Sequence, residues 1–332
     1  MSELITLAHG NGGRLMRELI EEIFAHALAD SHIDTSADAA TIDMHEGVAM
    51  LTTDSFTVKP LQFPGGDIGS LAVHGTVNDL AVSGATPRYL TLNAIIEEGF
   101  SIGQLRILIT SLARAARECG VRVVAGDTKV VARGEGSGLY LATTGVGFRP
   151  APVDLGMHRI KEGDHIIVSG PVGDHGTAVL LAREQFGLRG DLKSDAASVL
   201  PLTLAVRELP GLRFMRDPTR GGIATVMHEV ARATRYGVHL DESAIAVRGS
   251  VRTVCDMLGY DPLYLACEGR VVAVAAPDQS DELVQRWRAF DIGREAAVIG
   301  KITRGNAVVL VTPLGGERLL QELEDDPLPR IC

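Results

Sequence analysis

The chain has 332 residues, 45% hydrophobic and 22% charged, a size and balance that predict two soluble globular domains, each with its own core. A formal net charge of −10 with no Lys/Arg cluster argues against nucleic acid or an anionic membrane as partner, and no stretch has the length and apolarity of a membrane span. The cysteines at 119, 255, 267 and 332 show neither disulfide-framework nor zinc spacing, and the N-terminus lacks a signal-peptide pattern, so a cytoplasmic setting is expected.

HGNGGR (9–14) runs straight into RLMRELIEEIFAHAL, where Leu15, Leu19, Ile23, Phe24, Ala27 and Leu28 form one helical face. Gly10, Gly12 and Gly13 before that helix are either a phosphate cradle, with free amides and the helix dipole pointing the same way, or a flexible lead-in. VAMLTTDSF (48–56) reads as a strand carrying Asp54 near its end, and Asp67 is placed to cap the next helix. That helix, 68–84, is apolar or small on nearly every face and is therefore predicted to be buried. His74, Asn78 and Asp79 lie inside it, either as a hydrogen-bonded core network or as part of a ligand shell, because a buried ionisable group without a partner is costly. Then come a strand, TLNAIIEEG, a helix capped by Ser101, a strand ending in Asp127, Thr128 and Lys129, and a closing strand, LYLATTGVGF.

Asp54, Asp79 and Asp127 together offer the oxygen ligands that Mg²⁺ requires, and with HGNGGR they point to Mg-nucleotide binding. Neither G-x-x-x-x-G-K-[ST] nor a strand-linked G-x-G-x-x-G is present, so the site is of another design.

Prolines and charges in RPAPVDLGMHRIKEGD (149–164) mark the boundary between the halves. The second half reads as the strand HIIVSG, a glycine-punctuated turn into the helix PVGDHGTAVLLARE, a helix over 197–209, and RFMRDPTRGG feeding the helix IATVMHEVARAT. A strand over 237–247, a strand-turn-strand over 258–277, a helix over 280–290 and two short strands complete a layered α+β or α/β domain. In RDPTRGG, Asp217 and Arg220 either receive an anion at a helix N-terminus or take part in Arg–Asp pairing at a surface turn. The last nine residues, EDDPLPRIC, contain Pro327 and Pro329, which cannot continue a helix or join a sheet interior. An extended tail with a reach of roughly 30 Å is expected, carrying the thiol of Cys332, with a frayed end as the alternative.

On HGNGG, TTDSF (52–56), the block 63–90, GDTKVV (126–131), SGPVGDHG (169–176), RDPTRGG (216–222) and PRIC (329–332), nearly the whole chain resembles the HypE family of hydrogenase maturation proteins. That family is similar in fold to aminoimidazole ribonucleotide synthetase and selenophosphate synthetase. The resemblance implies a PurM-like (AIR synthetase-like) architecture of class α+β or α/β. Its parts are an ATP-binding and dimerisation domain over 1–150, a second α/β domain over 151–323, and a mobile tail over 324–332. It implies a homodimer through the first halves, with ATP near that interface, held through Mg²⁺ by Asp54, Asp79 and Asp127 and by the glycine segment; His74, Asn78, Asp217 and Arg220 join the nucleotide-binding set.

The resemblance also implies the reaction. A HypF-like carbamoyltransferase loads Cys332, the chain uses ATP to dehydrate the S-carboxamide to S-cyanide, and the cyanide passes to iron on a HypC–HypD-like complex. Cys332 is then the carrier, Lys129 a contact to the phosphoryl group or carboxamide oxygen, and Glu268 the proton acceptor. Cys267-Glu268-Gly269 stands where the family pattern has Asn-Glu-Gly, which puts an amide contact in question. A selenophosphate synthetase or small-molecule kinase of the same fold would explain the aspartates and not the tail; a non-enzymatic docking scaffold would explain the tail and not the buried acids.

Overall fold

The computed structural model describes residues 4–10, 14–29, 40–184, 191–324, 328 and 330–332. In the first half, α1 (Arg14–Leu19) passes into a π-helical turn over Ile20–Ala25, where one continuous α-helix was expected. There follow β1 (Val48–Phe56), the short β2 (Gln62–Phe63) and β3 (Gly66–Asp67), α2 (Ile68–Val82), β4 (Thr86–Glu97), α3 (Ile102–Glu118), β5 (Arg122–Val131) and β6 (Leu139–Arg149). The start of α2 is fixed by a capping box: Ser70 N–H donates to the Asp67 carboxylate and Asp67 N–H to the Ser70 hydroxyl. Ser101 caps α3 by accepting from Gln104 N.

Four long strands form one sheet in the order β1-β6-β4-β5. β4 and β5 run parallel because α3 supplies the crossover between them, and the remaining pairs are antiparallel. Helices α2 and α3 cover one face of the sheet. They approach so closely that a Cβ on Gly69 would lie 2.1 Å from the Leu108 carbonyl oxygen. The opposite face is open over much of its area, with Leu51 72% exposed and Ile95 40% exposed, while Asp43 and His45 cover its Tyr89 and Phe148.

The second half comprises β7 (His165–Val168), α4 (Asp174–Glu184), α5 (Leu200–Val206), β8 (Leu212–Arg216), α6 (Gly222–Thr234) and β9 (Gly237–Asp241). It continues with α7 (Gly249–Leu258), β10 (Val272–Ala275), α8 (Pro277–Arg288), β11 (Ala297–Thr303), β12 (Val308–Val311) and β13 (Glu317–Leu319). Its sheet has the order β13-β12-β9-β11-β7-β10-β8, with only β12 and β9 parallel. β10 is buried along its whole length, as a strand covered on both faces must be.

Three expectations change here. β9 stops at Asp241, whose side chain accepts from Ser243 N and turns the chain. The strand-turn-strand over 258–277 holds one strand, β10; its first part is a 3-10 turn over Pro262–Tyr264, capped by Asp261. Short apolar runs such as LYLA bury equally well in a loop, so their apolarity does not identify a strand. Helix α7 was not anticipated, although Val251, Val254 and Cys255 form its buried stripe.

The strands divide between residues 149 and 165, but the cores do not. Ala178, Val179 and Leu180 of α4 pack in the same cluster as Leu71 and Val77 of α2, and Ala81 and Val82 join the cluster around Trp287. The cleft between the halves is therefore held by shared packing. Among the described residues no helix is long and apolar enough to cross a membrane.

Candidate active site

At this junction a cavity of about 280 Å³ is lined by residues from six segments, among them Thr225, Val226 and Glu229 of α6. β1 supplies Thr53 and Asp54, and α2 presents Gly75 and Asp79 four residues apart on one face. The turn between β8 and α6 supplies Asp217 and Arg220, the segment before β10 supplies Glu268, and the tail supplies Cys332.

Carboxylates dominate its electrostatics. Burial, and then the neighbouring Asp79, push Asp217 up to about 7 against the pull of Arg216. Burial raises Asp79 too, opposed by a 2.8 Å hydrogen bond from Thr52 Oγ1 and reinforced by the charge of Asp54. Burial likewise raises Asp54, which accepts from Ser55 N at 2.7 Å and has Arg220 3.9 Å away. Glu268 is buried and held well above the usual carboxylate range, by burial first and then by Asp217; its Oε1 has no hydrogen-bond partner among the described residues. Several acids that raise one another's pKa in a confined space are a donor set suited to a cation. No group of three His, Cys, Asp or Glu among the described residues is arranged to hold a metal alone. Asp54 and Asp79 offer two carboxylates of the donor class that Mg²⁺ takes, a cation that completes its shell with phosphate oxygens and water.

The described residues of the tail are docked against the body. Thr57 N donates to Cys332 O at 3.0 Å and Lys59 N to Arg330 O at 3.3 Å, while Arg330 Nε returns a bond to Thr57 O at 3.1 Å. Leu328 and Ile331 are buried in the first-half core. Burying two such side chains stabilises the docked segment by about 1.5–3 kcal/mol each. Pro327 and Pro329 lie outside the described residues. The thiol of Cys332 is pushed up to about 12 by burial, then by Glu268, with Arg220 opposing through its hydrogen bond to the sulfur.

The three aspartates do not converge within one chain. Asp54 and Asp79 face the cavity, whereas Asp127 sits on β5 at the far edge of the sheet, in register with exposed Asn93. There it pairs with Lys129 at 2.9 Å, which holds its carboxyl below the usual range. Lys129 is thus also on the open face, away from the Cys332 of its own chain. Gly10 packs against the same strand, where a Cβ would meet Val130 at 2.8 Å; Gly12 and Gly13 lie outside the described residues.

His74 and Asn78 do not line the cavity. Burial, with Arg114, pushes His74 down to about 4, so the ring is neutral inside the helical layer. Asn78 is a staple: its amide donates to Ala197 O at 3.0 Å and Glu268 O at 3.3 Å and accepts from Val199 N at 2.8 Å, which fixes the backbone of Glu268. Cys267 replaces the expected amide contact with a thiol, accepting from Gly173 N at 3.3 Å. Sequence reasoning missed His175, Ser194 and Arg183, which touch the tail or its supports; the DHG run that opens α4 was the available signal.

Residues 36–148 match the family described as AIR synthase related protein, N-terminal domain, and residues 161–312 match its C-terminal domain. The carbamoyl dehydratase HypE of Azotobacter vinelandii is 45% identical over 331 residues, covering 99% of this chain and 97% of that protein. A crystal structure of the hydrogenase maturation protein HypE in complex with ATP superposes with a TM-score of 0.94 at 41% identity, covering 98% of this chain and 99% of the other. A chain of a HypE–HypF complex superposes with a TM-score of 0.82 at 38% identity, over 94% of this chain and 100% of the other. With the two-domain fold and the terminal thiol seated among buried acids, these likenesses place the chain in the HypE carbamoyl dehydratase family.

Proposed function

We propose that this protein uses ATP to dehydrate an S-carboxamide on Cys332 to S-cyanide, the source of the cyanide ligand on the iron of [NiFe] hydrogenase. The observation that carries the reading is the Cys332 side chain in the acidic cavity, lining it together with Arg220 and Glu268. An amide oxygen is a poor leaving group. Once it takes the γ-phosphoryl group and ADP leaves, the carbon carries a phosphate; loss of both N–H protons and of that phosphate leaves C≡N on sulfur. Carboxamide and ATP thus become S-cyanide, ADP and phosphate.

Asp54 and Asp79 are the residues that would hold Mg²⁺, which supplies charge neutralisation on the phosphates. Glu268 is proposed as the proton acceptor. Burial, then Asp217 and the other neighbouring acids, keep it protonated; a cation held by Asp54 and Asp79 would relieve part of that pressure and favour its carboxylate in the loaded site. The cavity raises the thiol pKa and therefore suits an uncharged sulfur, as in the carboxamide and the thiocyanate. Loading of the thiol belongs elsewhere, with the tail over 324–332 released to a HypF-like carbamoyltransferase; the complex formed by the HypE–HypF relatives supports that partner. Delivery to a HypC–HypD-like complex and a cytoplasmic location complete the reading.

A homodimer is proposed through the open part of the first sheet's face, because Leu51 and Ile95 need cover and because Asp127, Lys129 and Gly10 stand apart from the cavity of their own chain. A second copy on that face would bring the two residue sets together. The reading is tested by incubating the chain with carbamoyl phosphate, ATP and the carbamoyltransferase and measuring the mass of the peptide that contains Cys332. The expected sequence is a carbamoyl adduct followed by loss of one water.

A further inference from the structure

His175 stands in the first turn of α4, fully buried, and its ring bridges two parts of the chain that are remote in sequence. Nε2 lies 2.9 Å from Ile331 O and Nδ1 lies 2.8 Å from Ser194 Oγ. A carbonyl oxygen only accepts, so Nε2 carries the hydrogen. Burial favours the neutral ring, and Nδ1 is then the acceptor. Ser194 Oγ accepts from Ala196 N at 2.9 Å, which leaves the hydroxyl hydrogen to donate to Nδ1. The serine thus fixes the tautomer, and the tautomer faces the tail. Phe63 packs against the ring in a T-shaped arrangement with centroids 5.4 Å apart, which holds its plane.

Leu328 and Ile331 bury their side chains and Arg330 bonds Thr57 O, so they share in setting the register, but the backbone contacts of the tail do not specify it. Thr57, Lys59 and Arg183 meet the carbonyls of residues 332 and 330 with backbone or flexible donors on or near the surface. Such contacts resemble an edge-strand pairing, which a one-residue slip can re-form with the side chains on the opposite faces. The Ile331 carbonyl is the one met by a rigid, buried ring. A slip would leave Nε2–H unpaired in the interior, where an unmatched donor is expensive.

We infer that His175 is a positioning residue for the tail: its Nε2–H bond to Ile331, with the tautomer set by Ser194, fixes the depth of docking so that Cys332, and no neighbour, reaches Arg220 and Glu268. The inference rests on the reading that Cys332 carries the group to be dehydrated.

Its test uses the intact chain and three variants, His175→Leu, His175→Gln and Ser194→Ala, with two readouts. In the unloaded chain, alkylation of Cys332 by iodoacetamide reports docking. In the carbamoylated chain, single-turnover thiocyanate formation at saturating ATP reports chemistry. His175→Leu should raise the alkylation rate about tenfold and lower the single-turnover rate by a similar factor, as expected from losing a buried hydrogen bond. The ATP concentration for half-saturation should stay unchanged. Gln, whose amide N–H can reach the position of Nε2, should recover most of both rates, which a merely structural histidine would not show. Ser194→Ala should give a smaller rise in alkylation, about threefold, and decides the matter if His175→Leu does not fold. Alkylation at the wild-type rate in the folded variants would overturn the inference. Wild-type chain that forms no thiocyanate while the alkylation rates still shift would instead overturn the proposed reaction and leave the latch standing.

Discussion

Glu268 and Cys332 carry the proposed chemistry at the scale of single residues. Glu268→Gln keeps the volume and removes the proton-accepting oxygen, so ATP affinity by calorimetry should persist while the single-turnover rate falls about 10²–10⁴-fold. Cys332 gives a pH test whose sign follows from its environment. Docking raises the thiol pKa from its ordinary value of 9.0 to about 12, so the docked state favours the neutral thiol. Its contribution to docking is complete below pH 9 and is lost as pH rises from 9 towards 12. Labelling by iodoacetamide should therefore lag behind that of a free cysteine peptide at pH 8. Ile331→Ala, which removes a buried anchor, should close much of the gap. At this scale the sequence was partly legible. An acid inside the apolar run 68–84 was identifiable as significant, and Asp79 does reach the cavity. His74 and Asn78 in the same run do not, because which helix face meets the cleft depends on packing against residues more than a hundred positions away.

At the scale of elements, local signals gave the first half well. The alternation of 48–56 became β1 with the same limits, and Asp67 and Ser101 cap the helices they were expected to cap. Helix α7 escaped because it begins at Gly249 with no side-chain cap, and the strand before it ends early at Asp241. Sheet order was not legible at all. Asp54 lies near the end of β1, but Asp127, expected at a strand end, sits in the middle of β5, and β6 and β4 separate the two strands, so adjacency in motif order does not mean adjacency in space. Asp54→Asn and Asp79→Asn should each weaken ATP binding in the presence of Mg²⁺, measured by calorimetry, and unchanged affinity in both would locate the nucleotide elsewhere. The α2–α3 contact offers a separate stability test. Gly69→Ala places a methyl against the Leu108 carbonyl and should destabilise the fold by about 1–3 kcal/mol, read from thermal or denaturant unfolding.

For the whole molecule, the shared core between the halves holds the cavity walls, the docked tail brings Cys332 into the cavity, and the open part of the sheet face leaves room for a second copy. Leu51→Glu should shift sedimentation at micromolar concentration from dimer to monomer mass and weaken ATP binding together with it, if Asp127, Lys129 and Gly10 act across the interface. A variant that stays dimeric, or a monomer with full ATP affinity, would remove that arrangement. The docking of the tail was the least legible feature in the sequence, since its partners Thr57, Ser137 and His175 are between 156 and 275 residues away. The central claim, that Cys332 carries a carboxamide which this protein dehydrates, is tested most directly by mass. After carbamoylation and addition of ATP, the carbamoylated peptide containing Cys332 should lose the mass of one water, which leaves a thiocyanate on the sulfur, and Cys332→Ala should form none. A carbamoyl adduct that persists unchanged with ATP, or a label found on Cys255 or Cys267 in place of Cys332, would contradict the account.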